Sequence, residues 1–134
     1  MGTFHHSINT FSRIISAFFD ERFKESGLAT SYVELLLLIQ KNEKLSQKEI
    51  SAAMDLAPST ITRFLAKLEK KGLVEKTREA REVVVKLTGE GKTLSLKLQK
   101  KYTRAEKELN GILGEKYIET TGKLLDHGAE LMKG

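Results

Sequence analysis

Residues 45–72 read LSQKEISAAMDLAPSTITRFLAKLEKKG, and this stretch decides the fold. Ser46 followed by Glu49 is the pattern of a capping box, in which a serine hydroxyl and a glutamate carboxylate satisfy two orphan N–H groups reciprocally. Ile50, Ala53 and Met54 then give a short helix one apolar face. Asp55 and Leu56 supply a turn. Pro58 falls at the first position of a second helix, where its missing N–H costs nothing. Ile61, Phe64, Leu65 and Leu68 recur at i, i+3, i+4 and i+7 and therefore share one face of that helix. Gly72 ends it, after Lys70 and Lys71, which suit the negative end of the helix dipole. The sequence predicts a helix-turn-helix.

The other face of the second helix carries Ser59, Thr62, Arg63, Ala66, Lys67 and Lys70, with Thr60 near its edge. Short hydroxyls, an arginine one turn later and lysines behind them suit a DNA major groove. Hydroxyls bond bases or phosphates, arginine pairs with guanine O6 and N7, and lysine neutralises phosphate. Charge alone is also what an ordinary solvated helix face carries, and that is the commoner case.

The next segment shifts the balance. Leu73–Thr77 and Val83–Leu87 are β-prone runs, the second rich in valine. Between them lies the charged connection Arg78-Glu79-Ala80-Arg81-Glu82. A β-hairpin is expected, although no Asn-Gly turn signal accompanies it. A helix-turn-helix followed by a basic-tipped hairpin is a winged helix. Its tip suits a narrow minor groove, where negative potential is concentrated. The alternative for Arg81 is a salt bridge to Glu79 or Glu82 within the hairpin.

Residues 28–91 resemble the winged-helix core of the MarR family of transcriptional regulators. The residues that carry the resemblance are LSQKEISAAMDLAPSTITRFLAKLEKKGLVEK, then Arg81 and the run VVVKLTGEG at 83–91. The resemblance implies a homodimer on a pseudo-palindromic operator, with repression as the usual mode. It also implies an affinity for DNA lowered by a small aromatic or phenolic ligand. Carried over by position, Pro58, Ser59, Thr60, Thr62 and Arg63 face the major groove, and Arg81 is the wing-tip residue of the minor groove. The family usually has Asp two positions before that arginine, where this chain has Glu79.

The rest of the composition agrees with this expectation. With 134 residues, 40% hydrophobic and 31% charged, the chain describes one soluble globular domain. No apolar run approaches the roughly 18 residues of a membrane span, and no secretory leader is evident after Phe4, His5 and His6. The absence of cysteine excludes disulfides, thiolate metal sites and a thiol redox switch. The default location is cytoplasmic. Of the net charge of +5, +4 lies between Lys41 and Lys86, where eleven Lys and Arg face seven Asp and Glu. Such a concentration fits a phosphate-binding footprint.

Around the core, residues 4–24 are expected to form a first helix, with Phe4, Ile8, Phe11, Ile15, Phe18, Phe19 and Phe23 recurring every three to four positions. That is more aromatic surface than one small core needs, and part of it suits a second subunit. Gly27 breaks the helix. Ser31 and Glu34 read as a second capping box before a helix Tyr32–Lys41 that is apolar nearly all round and therefore central. Asn42–Lys44 reads as a polar turn. Thr88 is a candidate N-cap for a long helix, with Leu94, Leu98, Tyr102, Ala105, Leu109 and Ile112 on one face. Gly111 and Gly114 mark a break. A last helix carries Tyr117, Ile118, Thr121, Leu124, Leu125, Gly128, Leu131 and Met132 at near-heptad spacing.

The fold class expected is mainly α with a small β-hairpin wing. One MarR-like domain spans 1–134, with the winged helix-turn-helix core at 30–88 and dimerisation helices at 4–24 and 90–132. In the function this implies, Arg63, Ser59, Thr60 and Thr62 read bases of double-stranded DNA. Ser46, Gln47 and Lys67 position phosphates, and Arg81, with Arg78, enters the minor groove. Phe19, Arg22, Tyr32 and Tyr102 lie on elements that would border an effector pocket, although ordinary packing explains them more simply. No cofactor is expected. A winged helix used only for protein interaction is the alternative, against which the local charge argues. An enzyme has little support, with no cysteine, glycine-rich phosphate loop or HExxH. A metal-responsive regulator would need His5, His6, His127 and a carboxylate to converge.

Overall fold

The computed structural model describes residues 1–134. Its elements are α1 (Phe4–Phe23), a 3-10 turn (Lys24–Ser26), α2 (Thr30–Asn42), β1 (Lys44–Ser46), α3 (Gln47–Met54), α4 (Pro58–Lys70), β2 (Val74–Glu79), β3 (Glu82–Leu87), α5 (Gly89–Leu113) and α6 (Glu115–Lys133). No helix is long and apolar enough to cross a membrane. Two compact units result, Met1–Lys101 and Tyr102–Gly134, with α5 running through the boundary.

In the first unit α2 is the central helix. Val33, Leu35, Leu36 and Ile39 are buried, and α2 packs against α1, α3, β1 and β3. Phe19 and Phe23 of α1, Ile50 of α3, and Ile61, Leu65 and Leu68 of α4 close the core around it. Ala53, expected on the inner face of α3, is exposed. The sheet has the order β1-β3-β2 and is antiparallel throughout. β1 pairs Leu45 with Val85. This strand lies partly within the stretch expected to be a polar turn. Three residues are too few to show alternation, so only pairing with β3 makes them a strand. The first capping box forms as expected, with Glu49 N donating to Ser46 Oγ at 3.0 Å and Ser46 N donating to Glu49 Oε1 at 2.9 Å.

The expected second box does not form. α2 begins at Thr30 with Ala29 as its uncapped flank. Instead Asp20 of α1 accepts from Thr30 N at 2.8 Å and from Thr30 Oγ1 at 2.6 Å. A carboxylate at a helix N-terminus is favoured by the dipole, and this one also ties α1 to α2.

The turn and the corner after it are closed by backbone bonds. Leu56 N donates to Ser51 O and Asp55 N to Ala52 O, with Asp55 left-handed at φ 56°. Leu73 N donates to Leu68 O and Gly72 N to Glu69 O, with Gly72 at φ 75°, a complete Schellman motif. Thr88 then caps α5 by accepting from Gly91 N, while its own hydroxyl donates to Gly72 O and its N–H to Leu73 O. A Cβ on Gly91 would stand 1.9 Å from Leu73 O, so this position has room only for glycine.

α5 continues through Gly111, and the break falls at Gly114 alone, at φ 91°. A glycine inside a helix costs only about 0.5–1 kcal/mol relative to alanine, which the surrounding helix tolerates. Along the face read from the sequence, Leu98 and Ala105 are buried and Ile112 is exposed. α6 buries no residue fully, and Tyr117, Leu124, Leu125, Leu131 and Met132 are exposed. At the other end of the chain Phe4 is 80% exposed, and Ile8 and Ile14 are exposed as well.

Candidate nucleic-acid interface

α4 presents the face anticipated for it. Pro58, Ser59, Thr62, Arg63, Ala66, Lys67 and Lys70 are exposed, and Thr60 is half-buried. Pro58 sits at the first helical position.

The hairpin is tighter than expected. β2 extends to Glu79 and β3 begins at Glu82, leaving a loop of Ala80 and Arg81. Ala80 adopts φ 54° to close it. Glu79 is not used by Arg81: it pairs with Lys44 of β1 at 3.2 Å. Lys86 pairs with Glu75 and Lys76 with Glu69, both at 3.4 Å. The sheet lysines are thus matched by sheet and helix acids. The side chains of Arg63, Lys70, Arg78 and Arg81 make no hydrogen bond or ion pair within the protein. Free cations thus stand on the outward face of α4 and at the wing tip, as others do at Lys41, Lys48 and Lys71 and along α5.

Ser46 differs from its expected place. It is only 4% exposed, and its hydroxyl is committed to the α3 cap. Its part is to fix the start of α3 rather than to offer a side chain to phosphate. The cap holds the Glu49 carboxyl below its ordinary value, chiefly through the Ser46 backbone N–H. Gln47, half-buried at the start of α3, donates from Nε2 to Thr62 Oγ1 on α4. Thr62 in turn donates to Pro58 O at 3.0 Å.

Tyr32 and Lys67, read from the sequence as pocket and phosphate residues, are neighbours. The Tyr32 ring stacks on Phe64 of α4 at 4.3 Å and 23°, and the Lys67 ammonium lies 4.6 Å from the Tyr32 ring centroid. This cluster has no local sequence signal, because Tyr32 lies 32 positions from Phe64 and 35 from Lys67. Arg22 covers Phe18, 3.4 Å from the ring centroid, and donates to Phe18 O at 2.7 Å. Phe19 is in the core beside Phe18. Tyr102 is half-buried on α5. A cavity of about 530 Å³ lies elsewhere, lined by Gln40, Lys44, Lys86, Lys92 and Leu96 among others. No three metal-competent side chains converge: His5 faces Asn9 and His6 faces Thr10 on the surface of α1.

The MarR family's sequence model matches residues 30–82, which hold α2, the helix-turn-helix and the wing to the start of β3. SarZ of Staphylococcus aureus (strain USA300), an HTH-type transcriptional regulator, is 32% identical over 100 residues, covering 67% of this chain and 68% of SarZ. The chain belongs to the MarR family. Among solved structures, S. aureus MepR in its DNA complex superposes with a TM-score of 0.86 at 19% identity, covering 98% of this chain and 99% of that one. NadR in complex with 4-hydroxyphenylacetate gives 0.79 at 19%, covering 98% of each. At these identities the likeness speaks for the fold, a winged helix. As a MarR-family protein this chain is a transcriptional regulator with a DNA-binding winged helix.

Proposed function

We propose that the chain acts as a homodimer that binds a pseudo-palindromic operator and represses transcription. The observation that carries this reading is the set of unpaired cations on the second helix of the helix-turn-helix and on the wing. Lysines on the sheet are neutralised by Glu69, Glu75 and Glu79, while Arg63, Lys70, Arg78 and Arg81 remain free on one helix face and one hairpin tip. In this reading Arg63, Ser59, Thr60 and Thr62 meet base edges in the major groove, with Pro58 setting the start of the helix. Gln47 and Lys67 lie along the phosphates, and Arg81 with Arg78 reaches the minor groove.

The dimer is supported by apolar surface that the single chain leaves open. α1 exposes Phe4, Ile8 and Ile14, and α6 exposes Leu124, Leu125, Leu131 and Met132. Helices 4–24 and 90–132 are the proposed dimerisation elements, packed by a two-fold axis. An obligate interface of this kind buries on the order of 2,000 Å² or more. Two reading helices about 34 Å apart then match successive major grooves. Repression follows from occupying DNA that transcription requires, in the cytoplasm.

Release by a small aromatic acid extends the proposal, supported by the fold shared with NadR in complex with 4-hydroxyphenylacetate. Such a ligand weakens DNA binding only by preferring a spacing of the two heads that misfits the operator. Selection of genomic fragments on the purified protein, with sedimentation of the free chain, tests the whole. An enriched inverted repeat bound by two chains is expected. A monomer that ignores DNA in dilute buffer overturns the reading.

A further inference from the structure

Of the cations on the outward face of α4, Arg63 and Lys70 are free, and Lys67 alone has a partner in the chain. That partner is an aromatic ring. The Lys67 ammonium lies 4.6 Å from the centroid of Tyr32, in the first turn of α2. The ring is itself held, half-buried and stacked on Phe64 at 4.3 Å and 23°. Val33, Leu35 and Leu36, next to it in α2, are buried, so the ring stands on the centre of the fold. Lys67 makes no ion pair. A carboxylate partner would have to be given up when a phosphate arrives. An aromatic face attracts an ammonium through its quadrupole, occupies one side of it and leaves the other side to water.

We propose that Tyr32 is a positioning residue for DNA binding, whose ring holds the Lys67 ammonium in the conformation that meets a phosphate. A lysine free in solvent samples many rotamers, and ordering them costs affinity at the moment of binding. Here the ordering precedes the duplex. Apparent affinity scales with the fraction of chains in the competent conformation. An exposed cation–π contact biases that fraction by about two- to fivefold. Tyr32 therefore acts on affinity for every sequence alike and not on base preference. The number of neutralised phosphates is the same with or without the ring, so the salt slope is too. The inference rests on the proposed phosphate contact of Lys67.

Fluorescence anisotropy over a range of salt concentrations tests it, on a duplex of random sequence and on the operator enriched from genomic fragments. The variants are Tyr32→Phe, Tyr32→Leu, Lys67→Met, Tyr32→Leu combined with Lys67→Met, and a chain with pentafluorophenylalanine at position 32. Fluorination inverts the ring quadrupole, which removes the attraction for a cation and strengthens the stack on Phe64. The two contacts of the ring therefore respond in opposite directions. Tyr32→Phe is expected to bind as wild type does. Tyr32→Leu and the fluorinated chain are expected to bind both duplexes about two- to fivefold more weakly for each bound chain, with the salt slope unchanged. Lys67→Met is expected to lower the slope by about one, and adding Tyr32→Leu to it should cost nothing further. The inference falls if the fluorinated chain binds as Tyr32→Phe does. It falls if that chain binds more tightly, because the ring then holds Lys67 away from phosphate. It falls if Tyr32→Leu keeps its full effect beside Lys67→Met, because Tyr32 then acts through the packing of α4. In these three cases a lower slope in Lys67→Met leaves the phosphate contact standing. If Lys67→Met changes neither affinity nor slope, that contact falls together with the inference.

Discussion

Arg63 stands on the outward face of α4 without a partner in the protein, so its guanidinium is available at no cost in internal contacts. Arg63→Ala is expected to weaken operator binding by about 1–3 kcal/mol and to relax preference at one base pair, measured by fluorescence anisotropy on operator variants. Lys67→Ala should weaken all sequences alike and lower the salt slope by about one. The Glu49 cap carries a pH signature. Its carboxyl titrates below its ordinary value of 4.5 in the folded chain. A lowered pKa means stability that is complete above the unfolded value and lost as pH falls through the folded one. The advantage of wild type over Glu49→Gln in thermal midpoint should therefore shrink between about pH 6 and about pH 3. These local devices were legible in the sequence because their partners lie within a few positions: Ser46 with Glu49, Pro58 at the start of α4, Gly72 and Thr88 at helix ends. Asp20 with Thr30, Gln47 with Thr62 and Tyr32 with Phe64 were not. Packing creates those pairs, and no spacing rule relates them.

At the level of elements, the wing shows where pattern ran out. The valine run marked β3, but the turn lacks glycine, and its length became clear only from the pairing of Glu79 with Glu82. Ala80 closes the loop at φ 54°, where an L side chain is disfavoured by about 1–2 kcal/mol. Glycine removes that strain at an entropic cost of about 0.5–1 kcal/mol. Ala80→Gly should therefore stabilise the chain by about 0.5 kcal/mol, seen as a small rise in denaturation midpoint. A fall would mean the loop is held by contacts that glycine loses. β1 was missed for a related reason: with three residues it is defined by its partner strand alone.

For the whole molecule, the unburied leucines of α6 matter most, with Leu124 66% exposed and Leu131 similar. If these helices join two chains, Leu124→Glu with Leu131→Glu should halve the sedimentation mass and abolish cooperative operator binding, leaving the helix-turn-helix folded by circular dichroism. An unchanged mass would move the interface elsewhere. Near-heptad spacing made this surface legible, whereas the division of the chain at Lys101 left no mark in the pattern. A different constraint comes from the carbonyl of Leu73, which accepts the Thr88 N–H and leaves no space for a Cβ at position 91. Gly91→Ala should destabilise by about 1–3 kcal/mol, because backbone must yield to admit the methyl group. The end of α4, the root of the hairpin and the start of α5 therefore meet at one oxygen with no slack. A tilt of the first turn of α5 would therefore be felt at the end of the reading helix and the root of the wing together.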